Sequence, residues 1–166
     1  MSRLALAVAQ IVAARDYTCW LLDSIPSAEW FRTPPEGVTH VAWQVGHLAM
    51  AEYSLTLRRM RGERHEDERL IGPDFLAAFG RDSRPGLDPG QYPPAPEIRA
   101  TFDRVHQQAL LELEGVDDAD LDTPLTQPHR LCRTKMDALW WCSRHEMLHA
   151  GPIGLLRRLA GYPPLW

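Results

Sequence analysis

Apolar residues recur at three- and four-residue steps in four stretches of the chain, which is the signature of amphipathic helices. The first stretch runs from about Arg3 to Ser24 and carries Leu4, Val8, Ile11, Val12, Trp20 and Leu21. Ser2 stands where a helix N-cap belongs, and Pro26 stops the helix. The second follows "RTPPEGVTH", with Thr39 as its expected cap. It continues to about Arg61 before Gly62, with a stripe of Val41, Val45, Leu48, Ala49 and Leu55. The third opens near Pro96, carries Ile98, Phe102, Val105, Ala109 and Leu113, and ends at Gly115. The fourth opens at "TKMD", where Thr134 and Asp137 approximate a capping box, and runs towards Leu159.

No segment alternates with period two over strand length, so the predicted class is all-α. The links are uneven. Residues 62–95 are rich in Gly, Pro and charge around an apolar island, "PDFLAAFG", and "GVDDADLDTPLTQPHRLC" is also long. Helices joined this way suggest a four-helix bundle with long crossover connections rather than simple up-down-up-down order. Long irregular links are commonly functional. The 62–95 segment is therefore a lid candidate within a single domain spanning residues 1–166.

Composition narrows the function. A chain of 166 residues with 45% hydrophobic content can bury one domain core, and a formal charge of −4 gives no one-sided basic excess of the kind nucleic-acid binders carry. Arginines are scattered or lie beside acids, as in "RRMRGERHEDER". No apolar run reaches the roughly 18–20 residues that span a bilayer. "LALAVAQIVAA" lacks the flanks of a secretion signal. Three cysteines, Cys19, Cys132 and Cys142, without a CxxC pair point to a reducing, cytoplasmic setting.

The chemistry concentrates in "SRHEMLHAG". His145 and His149 lie four residues apart, one turn above each other on a helix face, so both imidazoles can reach one ion. The competing reading is two histidines on a solvated or packed face. His47 in "HVAWQVGHLA" sits within the apolar stripe of the second helix, where an unpaired imidazole is costly to bury, and shares the ion as third ligand. The HExxH spacing also belongs to zinc peptidases. The tail "AGPIGLLRRLAGYPPLW" offers no downstream His, Asp or Glu, no sheet is predicted, and Glu146 projects about 100° away from His145. Those features argue against a peptidase.

With "WQVGHLAMAEY", "DDADLDTPL" and "HEMLHAGPIGLLRR", the chain resembles the DinB-like superfamily (DinB and YfiT-type metal-dependent proteins) over nearly its whole length. That resemblance implies a four-helix bundle of up-up-down-down type. It implies a divalent ion, zinc or nickel, held by His47, His145 and His149, and a homodimer. It also implies kinship with transferases and isomerases that use a low-molecular-weight thiol, and no DNA binding. Pro152 departs from the pattern, where relatives often carry Gln, and an interior proline is expected to kink the helix after His149.

Three imidazoles leave a coordination position open for water or a thiolate, which suits a thiol-using transferase or a hydrolase acting on a small molecule. Glu146, Glu52 and His106 are the acid–base candidates. Gln44 and Trp43 share the face of His47, the first as a hydrogen-bond partner for an imidazole and the second as packing. Cys142, three residues before His145, is either a buried hydrophobe or a fourth ligand. A fourth ligand would close the site and favour the alternative of a non-catalytic, metal-stabilised bundle serving binding or stress response. His40 is a spare ligand two turns from His47, while His65 and His129 are expected at the surface.

Overall fold

The computed structural model describes residues 1–35 and 37–165. Trp166, the last residue of the "GYPPLW" tail, lies outside them. The class is all-α: among the described residues there is no strand, only an isolated bridge between Pro124 and Thr134.

Helix α1 spans Arg3–Asp23, and the Ser2 hydroxyl accepts from the Ala5 amide at 3.1 Å. Such a cap is worth about 0.5–2 kcal/mol because it satisfies one of the orphan donors of the first turn. Helix α2 spans Val41–Glu52 and continues through a π-helical stretch, Tyr53–Arg58, into a last α turn, Arg59–Arg61. Its N-cap is His40 rather than Thr39: the His40 Nδ1 accepts from the Trp43 amide at 3.1 Å. Two short helices, α3 (Asp67–Leu70) and α4 (Pro73–Phe79), lie in the long link that follows. Helix α5 spans Ala95–Leu113. Helix α6 spans Lys135–Leu159 with the expected Thr134–Asp137 capping box, and it continues without a break through Pro152.

Cross-helix contacts give the directions of the four long helices. Arg15 meets Glu146 and Ser24 meets Arg157, so α1 and α6 run parallel. His106 meets Glu52 and Glu112 meets Arg61, so α2 and α5 run parallel. Arg15 reaches the Phe102 carbonyl while Arg99 reaches Cys19, which sets α5 antiparallel to α1. The order along the chain is up-down-down-up, not the up-up-down-down order that the resemblance implied. A parallel α2–α5 pair requires its link to travel back along the molecule, and residues 62–94 do so.

That link is packed rather than loose. Phe75 and Phe79 are buried, their rings 4.6 Å apart, in the larger core cluster with Val45, Ile98 and Phe102. A second cluster fills the other end with Ile11, Leu55, Leu113, Met136 and Leu139. Arg61 fastens the start of the crossover, pairing with Asp67 at 2.8 Å and Glu112 at 2.7 Å.

Candidate metal centre

His47 on α2 and His145 and His149 on α6 converge. Their candidate ligand atoms all lie within 4.8 Å of one another, so these three side chains can hold a metal ion. The ring centroids stand 5.3 Å (47–145), 4.8 Å (47–149) and 4.6 Å (145–149) apart. His47 is buried and the other two are half-buried.

Two rings are held by their other nitrogen. The His47 Nδ1 donates to the Phe79 carbonyl at 2.8 Å, and the His149 Nδ1 donates to Gln44 Oε1 at 2.5 Å. Each bond fixes the tautomer and leaves Nε2 with its lone pair, the form a metal needs. Gln44 is itself oriented, its amide nitrogen donating to Thr39 Oγ1 at 2.9 Å. Trp43 stacks on His47 with centroids 4.8 Å apart and planes 13° from parallel, and its indole donates to Ser83 Oγ at 3.2 Å.

The electrostatics favour neutral imidazoles. Burial, then the neighbouring His47 and His129, lowers the His145 pKa to about 4. Burial, then His145 and His47, lowers that of His149 to about 3. Burial also lowers His47, against the opposing pull of the Phe79 carbonyl. At neutral pH the cluster therefore presents lone pairs, and a cation fits the donor set chemically.

The family comparison bears on this geometry directly. The description of the DinB superfamily matches residues 10–153, which include all three histidines. The chain belongs to the DinB superfamily. No curated protein matches it. Within this DinB-superfamily chain, the acid–base candidates gather apart from the three histidines.

Glu52, Glu146 and His106 come together, but around Arg15 rather than in the histidine cavity. Arg15 donates to Glu52 at 2.6 Å, to Glu146 at 2.8 Å and to the Phe102 carbonyl at 2.9 Å, with its guanidinium carbon 3.4 Å from the Phe102 ring centre. His106 Nδ1 lies 2.7 Å from the second Glu52 oxygen. Burial pushes the Glu52 carboxyl up, but Arg15 and His106 outweigh it and hold the pKa low. Burial dominates at Glu146 and raises its pKa. Cys142 does not join the histidine cluster; it is fully buried, and burial together with Glu52 and Glu146 keeps its thiol protonated. His40 is committed to capping α2 and to the Gly86 carbonyl at 3.2 Å.

His65 is exposed as expected, but His129 is not fully so. It is half-buried and lines a cavity of about 310 Å³ together with His47 and His145. Thr126 anchors this loop by donating its amide to the Arg59 carbonyl and its hydroxyl to that of Arg58, both at 3.0 Å. Arg59 and Arg81, which the sequence pattern does not single out, line the same cavity.

Proposed function

We propose that the chain is a metal-dependent enzyme of small-molecule chemistry, a transferase using a low-molecular-weight thiol or a related hydrolase. It is read as a single-domain four-helix bundle with a long crossover, in which His47, His145 and His149 hold one divalent ion, zinc or nickel. One observation carries the reading: three neutral imidazoles from two helices present ligand atoms within 4.8 Å of one another beside a cavity. Among the described residues no Cys or carboxylate joins them, so a coordination position is left for a reactant.

When bound, such an ion supplies Lewis acidity, lowering the pKa of a bound water to about 7 or stabilising a thiolate. The chain's own residues do the rest. The Phe79 carbonyl and Gln44 hold two imidazoles in register, and Trp43 covers one face of His47 against water. Glu52, Glu146 and His106 act as positioning residues: Glu52 and Glu146 grip Arg15 while His106 holds Glu52, which ties α1, α2, α5 and α6 together. We further propose a homodimer through the α1–α6 face, where Leu6, Met147, Leu148 and Leu155 stand exposed beside an apolar groove.

The test is turnover. Metal-loaded protein should transfer a low-molecular-weight thiol to an electrophile, or hydrolyse an activated ester or amide, and lose that rate with chelator or with His145→Ala. Loaded, folded protein inert across several thiols, esters and amides would reject the enzyme reading.

A further inference from the structure

Six of the seventeen arginines form ion pairs among the described residues. Arg15 serves two carboxylates, Arg61 serves Asp67 and Glu112, Arg99 serves Asp23 and Asp103, and Arg3 serves Asp122. The arginines of the cavity beside the histidines are not among them. Arg59, Arg81 and Arg130 all line it, its lining contains no Asp or Glu, and none of the three forms an ion pair among the described residues.

Arg59 is the most exacting of the three. It is half-buried, and one terminal nitrogen donates to the Ser54 carbonyl and hydroxyl. Its Nε is buried without a hydrogen-bond partner. Burial and the adjacent Arg58 both act against its charge. A guanidinium carries five donors and stays charged, so one held in this way lacks the anion that would offset its desolvation. His129 adds a donor: its Nδ1 accepts from the Leu131 amide at 3.2 Å, which places the proton on Nε2. Burial, Arg59 and Arg81 together lower the His129 pKa, so the cations sit close to that ring, which is itself close enough to influence His145. The rest of the wall is apolar, including Met50, Leu55 and Trp141.

We propose that this cavity binds a small organic carboxylate, with the carboxylate held by Arg59, Arg81 and Arg130 and the rest of the molecule directed towards His47 and His145. This deepens the proposed function by naming its substrate class and rests on that reading only for the chemistry, not for the binding. Arginine suits a carboxylate because two parallel N–H donors match its two oxygens. The volume, equal to about ten waters, restricts the ligand to a small molecule.

The experiment is calorimetric titration of the full chain with succinate, its neutral diamide and inorganic phosphate, each on metal-loaded and on chelator-treated protein. Succinate should bind both forms and the diamide neither. Arg59→Gln and Arg130→Gln should each weaken succinate about tenfold or more at unchanged metal content, with Arg59→Lys recovering part of the loss. Arg130 is exposed, so its variant keeps the test readable if Arg59→Gln fails to fold. Succinate binding unaffected by the arginine variants, equal binding of the diamide, or binding of phosphate in preference to succinate would overturn the carboxylate assignment. Arginine-dependent binding in a protein that never takes up metal would instead leave this site standing and remove the metal reading.

Discussion

The Phe79 ring occupies the space that a Cβ on Gly46 would need: a methyl added there would lie 2.4 Å from the ring. This close approach brings the crossover against α2 one residue before His47 and places the Phe79 carbonyl on His47 Nδ1. Gly46 is thus the reason a distant segment can orient the His47 imidazole. Gly46→Ala should cost about 1–3 kcal/mol through overpacking, against the slight gain alanine brings to an unobstructed helix. Urea unfolding checks the loss, and weaker metal uptake at equal folded fraction checks the link to His47.

Gln44 accepts from His149 while Thr39 accepts from Gln44, a two-step support for one imidazole. Gln44→Leu keeps the approximate volume but removes the acceptor. Metal affinity should fall about 10–100-fold, the usual effect of losing such a partner, with helix content preserved. Competition against a chromophoric chelator measures it.

Arg15 is buried with two carboxylates and a carbonyl on it. Arg15→Ala leaves Glu52 and Glu146 side by side without their cation and should destabilise the fold by about 3–5 kcal/mol. Glu146→Gln, which still accepts from Arg15, should cost clearly less. If the three acid–base candidates are positioning residues, Glu146→Gln should also leave the shape of the pH–rate profile unchanged.

Asp67 and Glu112 supply a pH dependence. Burial raises the Asp67 carboxyl, but Arg61, the Arg64 amide and the Tyr53 hydroxyl outweigh it, and its pKa is lowered. Arg61 lowers Glu112 likewise against burial. A carboxyl whose pKa drops on folding stabilises the native state above its unfolded value, near 3.9 for Asp and 4.3 for Glu, and that contribution is lost as pH falls through the lowered folded value. Stability should therefore decline below about pH 4.5, and Arg61→Gln should flatten that decline. Chemical unfolding at a series of pH values checks both.

Much of the fold was readable from local pattern because helix signals are local. The Ser2 cap, the Thr134–Asp137 box, the Arg61 end of the second helix and the histidine pair one turn apart all depend on neighbours within a few residues. What was missed depends on long-range packing. The π-helical stretch at Tyr53–Arg58 leaves no mark on the apolar stripe. His129 was expected at the surface, yet Thr126 folds its loop onto the end of the second helix. Arg15 left one usable sign: it shares the spacing of Ile11, Thr18 and Leu22, all buried, and an arginine on such a stripe needs buried acids opposite.

The most direct measurement is the metal content of protein purified without added metal and then titrated with zinc or nickel, alongside His47→Ala. About one ion per folded chain, removable by chelator and lost in the variant, is the expected result. Folded wild-type protein that binds no more metal than the variant would contradict the three-histidine centre.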